Sequence, residues 1–335
     1  MTPLLHHTRC ALACLGAVLL AHAAYAQHDE ARLGEAIAAH RAADYETAIV
    51  GFDALVEDEA ADKEVKKEAL QWLGRTYAAR NAWDDARLAL LKLLELEPPL
   101  VELRGEAPPL QNLFYEVRAE YVGSYVVERE DPGMKTLAVM DFANNSVDEK
   151  ERFDPMQGGF ADRLVNHLHG ATNLKVVERD RIQWLLGELE LQRDASVVDQ
   201  QTAVETGRLL GVTAVLFGSF TIFGKDMWLS ARLVKVETGE ILFSEQVEGR
   251  WRDFADLAGA LSERVADAID VELAEQGGSG ATRSADAMLA YSEGLSLIDQ
   301  ERYQEAYDKF IEALEHDPGY TRARERADSL RLLLG

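Results

Sequence analysis

Cysteine is nearly absent from this chain: there are two, Cys10 and Cys14, and both lie within the first 26 residues. If that leader is removed, the rest of the protein carries no thiol, which excludes disulfides and thiolate metal ligands. Cations are also short, with 35 Lys and Arg against 59 Asp and Glu and a formal charge of -24. Such a surface has no cationic excess to release counterions, so nucleic acid and anionic lipid surfaces are excluded as partners. No segment after the leader approaches the roughly 20 apolar residues of a membrane-crossing helix.

Catalytic signatures are missing as well. There is no HExxH, and His167 and His169 stand two apart, facing different directions on a helix, so they cannot share a metal. Gly278-x-Gly280 follows a helix, where a phosphate loop would follow a strand. No serine sits in a nucleophile-elbow context. The expectation is a protein with no catalytic residues, no cofactor and no metal.

The leader has the layout of a secretory signal: Arg9, an apolar run to Ala21, then Ala24-Tyr25-Ala26 ahead of Gln27. Residues 1–26 are therefore expected to be cleaved after Ala26. The alternative, lipid attachment at Cys14, would have to use Ala11-Leu12-Ala13 in place of a Leu-first lipobox. Either route places the protein in the periplasm, free or associated with the outer membrane.

The chain is ample for several cores, since 47% of its 335 residues are hydrophobic. Over 27–98 the apolar spacing is helical and pairs into hairpins. The clearest unit carries Leu73, Gly74, Tyr77, Asn81, Trp83, Ala86, Leu90, Leu93 and Pro98, and a weaker copy precedes it with Tyr45, Ala48, Phe52 and Leu55. A third copy, Gly294, Leu297, Tyr303, Ala306, Phe310, Ala313 and Pro318, lies within 285–335 and is followed by a helix over Tyr320 to Leu333 suited to capping it. These spacings resemble the 34-residue tetratricopeptide pattern. Before the third copy, 276–284 contains Gly277-Gly278-Ser279-Gly280, the composition of a flexible linker. Residues 99–134 form a connector, with a helix expected from Leu110 to about Tyr121 and a strand or loop after it.

Between these ends, 135–275 alternates between strand and helix patterns. A near-continuous apolar strand, Thr136 to Phe142, is followed by helices near 159–169, 180–189 and 201–210, with a strand at Leu174 to Val177. Three strands then run over 214–223, 227–236 and 240–248, joined by Gly224-Lys225-Asp226 and Glu237-Thr238-Gly239. A long amphipathic helix, Asp253 to Glu275, closes the domain. The expected fold is α/β, a mixed sheet with a parallel part and an antiparallel end, flanked by all-α hairpins. Asp180 is expected to cap its helix. Asp141 either faces a ligand crevice at the strand end or hydrogen-bonds the following loop. Glu178-Arg179 reads as a partner contact or as an ion pair where the helix begins.

Four phrases carry a family resemblance: Leu137-Ala-Val-Met-Asp-Phe142, Val176-Val-Glu-Arg179, Leu216-Phe-Gly-Ser219 and Val234-Lys-Val-Glu-Thr-Gly-Glu-Ile-Leu242. In order and spacing they resemble the curli-production assembly/transport component family. The same core is similar to the amino-terminal domain of the translocation protein TolB and to lipoprotein activators of cell-wall synthases, so the likeness speaks to fold before function. The resemblance implies secretion channels whose members insert two long hairpins, each needing roughly 20 extra residues to cross a bilayer. Here the turn after Phe223 and the stretch Gly249 to Arg252 are too short for either.

The function expected from these features is a non-enzymatic protein-binding adaptor of the Gram-negative envelope. The tetratricopeptide likeness implies partner grooves at Gln71, Arg75 and Ala78 and at Met288, Tyr291 and Leu295. The alternative is an oligomeric component of an outer-membrane secretion or export apparatus, assembled through the α/β domain.

Overall fold

A computed structural model describes residues 28–103, 105–126, 133–188, 199–273 and 280–334. The signal segment with both cysteines and linker positions 277–279 lie outside the described residues. The chain divides into two compact units, 1–103 and 104–335.

The first unit holds helices α1 (28–41), α2 (Tyr45–Glu57), α3 (Lys63–Ala79) and α4 (Trp83–Leu96). Spacings of three and four residues put Ala48, Phe52 and Leu55 on one side of α2, and Ala86, Leu90 and Leu93 on one side of α4, all buried. Asp44 and Asp62 cap α2 and α3 by accepting from the Thr47 and Glu64 amides. The α1–α2 and α3–α4 turns close alike. Ala43 and Asn81 take left-handed backbone with φ of 57° and 58°, and the amides of Asp44 and Ala82 donate back to the carbonyls of Ala39 and Tyr77. This is a Schellman closure, which satisfies carbonyls left over at a helix end.

The second unit begins with α5 (Pro108–Val122), which Gly123 stops in the left-handed region. Tyr121 and Val122 complete this helix and no strand follows them over 123–126. Then come β1 (Lys135–Val139), β2 (Ala143–Asn144), α6 (Lys150–Phe153), α7 (Met156–Leu168), β3 (Leu174–Val176), α8 (Arg179–Glu188) and α9 (Gln200–Leu210). The antiparallel strands β4 (Ala214–Phe223), β5 (Asp226–Lys235) and β6 (Ile241–Arg250) lead through a short 3-10 turn to α10 (Phe254–Ala268). Sheet order is β3-β1-β4-β5-β6, with β2 beside β4. β1 pairs in parallel with β3 and β4, while β4, β5 and β6 are antiparallel, so the mixed sheet follows the expected pattern.

Strand residues alternate between two cores. Leu137, Val139, Leu216 and Phe220 meet Phe160 and Leu164 of α7 and Leu261 of α10, whereas Ala138, Met140, Val215 and Phe217 meet Ile182 of α8 and Ala203 of α9. Both faces of the parallel part are therefore covered, which is why β1 reads as an apolar run. Only Gly224 and Lys225 separate β4 from β5, and the Trp251 amide, just past β6, donates to the Lys225 carbonyl at 3.0 Å. The helix expected to reach Glu275 ends at Ala268, because Asp270 turns the backbone at φ 51° and the Val271 amide folds back onto the Ala266 carbonyl.

The chain finishes with α11 (Ala285–Asp299), α12 (Tyr303–His316) and α13 (Thr321–Leu334). The α11–α12 turn repeats the Schellman closure of the first unit, with Glu301 at φ 59° and the Arg302 amide donating to the Leu297 carbonyl. Gly294 is required where the helices meet, since a Cβ there would fall 2.5 Å from the Phe310 ring. A free linker was expected ahead of this hairpin, yet its described residues are tied down. Thr321 donates its amide to the Gly280 carbonyl at 2.9 Å, Arg163 donates to the Thr282 carbonyl at 2.8 Å, and the Thr282 hydroxyl donates to Asp317 at 2.6 Å. The hairpin is one body with the α/β domain.

Candidate functional site

On α3, Gln71, Arg75 and Ala78 share one face and are half-buried, with the Arg75 guanidinium 4.0 Å from the Trp72 ring centre. On α11, Met288, Tyr291 and Leu295 share a face in the same way, but this one is closed: their exposures are 0%, 0% and 1%. Helix α7 fills it. Gly159 lets the two helices touch, because a Cβ there would collide with Ser292 Oγ and lie 3.0 Å from Met288 Cε. Met288 joins the core of the α/β domain, and Tyr291 donates its hydroxyl to Asp162 of α7 at 2.9 Å. The groove expected on the last hairpin is thus occupied from within the chain.

Around this contact lies an ionic cluster, buried at Arg179 and Asp162 and partly exposed elsewhere, that joins four helices. Arg179, whose side chain is 2% exposed, spreads its fork over two carboxylates. Nε and Nη2 donate to Asp141 at 2.8 and 2.7 Å, and Nη1 and Nη2 donate to Asp299 at the end of α11 at 3.2 and 2.6 Å. From α13, Arg322 donates to Asp162, and Arg326 pairs with Asp180 and stands 3.7 Å from Asp162. Asp141 is therefore engaged by Arg179 at the strand end, which is neither of the alternatives read from the sequence. Asp180, expected as a cap, sits inside the first turn of α8 and pairs across to α13.

Burial pushes the Asp162 carboxyl up, but Arg322 and Arg326 outweigh it and hold the group below the usual carboxylate range. The same opposition, with Arg326 prevailing, lowers Asp180. Arg179 is driven the other way: burial lowers it, and Asp141 and Asp299 more than restore it, so it stays protonated. Ions buried in this way add little net stability as intact pairs, but losing one partner costs about 3–5 kcal/mol. Arg322 and Arg326 were missed in the sequence, although two arginines four apart in a helix of a cation-poor chain are a legible sign of acidic partners.

Elsewhere in the second unit, α5 and α8 border a cleft of about 360 Å³ lined by Glu116, Glu120, Glu188, Tyr125 and Trp184. His167 is half-buried beside Ser262, with its pKa lowered to about 4 by burial and by Arg163. Among the described residues no group of three or more His, Cys, Asp or Glu could hold a metal ion, and no helix is long and apolar enough to cross a membrane.

An α/β domain with a half-parallel sheet, tight hairpin turns and a helical hairpin locked onto it, preceded along the chain by an all-helical unit, defines the class of protein. Comparison with known families sharpens this. The model of the curli production assembly/transport component CsgG matches residues 122–230, about a third of the chain. Among solved structures, lipoprotein GNA1162 from Neisseria meningitidis is similar at 18% identity, over 41% of this chain and 98% of that one, with a TM-score of 0.28. The C-terminal domain of LpoB from Salmonella enterica is similar at 16% identity, over 39% and 91% of the two chains, with a TM-score of 0.25. No curated protein matches the chain.

Proposed function

We propose that this chain is a non-enzymatic adaptor of the Gram-negative envelope, exported by the signal at 1–26, in which helical repeats capture a protein partner and the α/β domain anchors the assembly. The observation that carries the reading is the pair of short connections in the sheet. The resemblance to curli components implies long membrane hairpins, and here β4 passes to β5 through Gly224 and Lys225 alone while β6 runs directly into the turn before α10. What remains is the family's core without its channel.

We read the helical hairpins as tetratricopeptide repeats. Three turns share one closure, and each is followed by an aromatic residue with Ala three positions on: Tyr45 and Ala48, Trp83 and Ala86, Tyr303 and Ala306. Because the face of Met288, Tyr291 and Leu295 is closed by α7, α12 and α13, we assign partner capture to the first unit and the α3 face of Gln71, Arg75 and Ala78.

The test is covalent crosslinking of the mature protein in envelope fractions, comparing wild type with Gln71→Glu/Arg75→Glu. Loss of the crosslinked partner with unchanged melting supports the adaptor, and undiminished capture removes α3 as the docking face. Sedimentation provides a second readout. A monomer or dimer is expected, and a stable ring of several copies would instead favour a component of an export apparatus.

A further inference from the structure

Three charged residues in a row begin α8, and each is tied to a different part of the second unit. Successive helix positions point about 100° apart, so a single turn reaches in three directions. Arg179 divides its fork between Asp141, just past β1, and Asp299 at the end of α11. Asp180 accepts from Arg326 of α13, at 3.1 Å for Nη2. Arg181, 6% exposed, turns away from the hairpin: its Nη2 donates to the Tyr125 carbonyl at 3.0 Å, and its guanidinium lies 5.9 Å from the ring centre of Tyr115 on α5. One turn later Trp184 meets both of those tyrosines, with ring centres 5.6 Å from Tyr115 and 5.8 Å from Tyr125.

These contacts are not independent of one another. Helix α8 has ten residues, a rod about 15 Å long that moves as one piece. Arg179 has no room to swing aside, because its guanidinium is packed against the backbone of α7: a Cβ on Gly158 would fall 2.7 Å from Nη2. That same Nη2 is shared by Asp141 and Asp299 at 2.7 and 2.6 Å, so a shift of Asp299 is felt directly at the start of α8. Ile182 and Leu185 hold the rod on the small core formed by Ala138 and Met140. Close-packed neighbours transmit a displacement instead of absorbing it.

We propose that α8 is a strut between the C-terminal hairpin and α5: docking of α11 and α13 sets the position of α8, and α8 sets the order of α5 and the Tyr125 turn. A partner that grips or shifts the hairpin therefore alters α5, the first helix of the second unit, and by linkage whatever orders α5 tightens the hairpin. This is independent of the adaptor reading, which concerns the first unit.

Native-state hydrogen exchange of the full mature chain, read by mass spectrometry, tests the strut. Asp299→Asn and Arg326→Gln are each expected to speed exchange in α8 and α5 about tenfold, and Arg181→Gln to do the same in α11 and α13. Val247→Ala, on the strand at the opposite edge of the sheet from β3, controls for lost stability and should leave α5 as in wild type. Unchanged α5 exchange in the hairpin variants overturns the proposal, and so does an equal response to Val247→Ala. Indifference of α11 and α13 to Arg181→Gln also overturns it, since a coupling must act both ways. If Arg326→Gln does not fold, Asp299→Asn decides alone, because that side chain is 30% exposed and the amide keeps its size.

Discussion

His40 in the first unit is 8% exposed, edge-on to Trp72 with ring centres 5.0 Å apart and hydrogen-bonded to Thr76 at 2.9 Å. Burial, then Arg75 and Arg41, lower its pKa from 6.5 to about 4. The folded unit thus prefers the neutral ring, so the stabilisation is complete above pH 6.5 and is lost as pH falls toward 4. At 1.36 kcal/mol per pH unit the loss reaches about 3 kcal/mol. Urea midpoints for wild type should fall steadily between pH 6.5 and 4.5, and His40→Gln, which cannot titrate, should flatten that decline. In the second unit the Asp162 carboxylate behaves differently. Asp162 is held below its usual range, so its contribution persists through this window and disappears only as pH drops through the lowered value. Glu301 offers a change of opposite sign. It is exposed and left-handed at φ 59°, a conformation that costs a residue with a Cβ about 1 kcal/mol. Glu301→Gly should raise stability by about 0.5–1 kcal/mol in denaturant titrations.

Between elements, the contact of α7 with α11 depends on a missing side chain. Gly159→Ala would drive a Cβ into Ser292 Oγ, whose hydroxyl already donates to the Met288 carbonyl at 2.7 Å, so the helices must separate. A loss of about 1–3 kcal/mol is expected by thermal or chemical unfolding. Gly34→Ala on the exposed side of α1, with no atom within 4 Å of the new Cβ, should instead gain up to about 1 kcal/mol. Strands, turns and most helix limits were legible from apolar period and from Gly224, Gly239 and Gly211, because those features are local. The filled groove was not. Met288, Tyr291 and Leu295 look alike from sequence whether they face a partner or α7, since periodicity gives a helix a buried face without saying what buries it. Asp141 and Arg179 carried a signal of their own, a carboxylate and a cation each following a strand, but their meeting depends on β1 and β3 lying side by side in the sheet.

At the scale of the whole chain, the third hairpin changes from an appended module into a layer of the second unit. Deleting 280–335 would uncover the α7 surface at Gly159, withdraw Ala285 and Met288 from the core, strip Asp162 of Arg322 and Arg326, and leave Asp180 facing the site that Arg326 vacates. The apolar surface so uncovered forfeits about 25 cal/mol per Å², against a total stability of about 5–15 kcal/mol for a typical domain. The α/β domain should therefore not fold alone: a chain ending at 279 is expected to lose the cooperative unfolding of its second unit and to bind a hydrophobic dye. The first unit has its own core of Phe52, Leu55, Leu73 and Leu90, and should keep its helical signal in the same chain. A truncated protein that unfolds as cooperatively as the full chain would mean that the hairpin is dispensable and its docking incidental. Asp162→Asn in the full chain refines the result. If it lowers stability by about 3 kcal/mol and speeds amide exchange along α11 and α13, the ionic cluster is what holds the hairpin; if exchange is unchanged, apolar contacts at Gly159 and Met288 suffice.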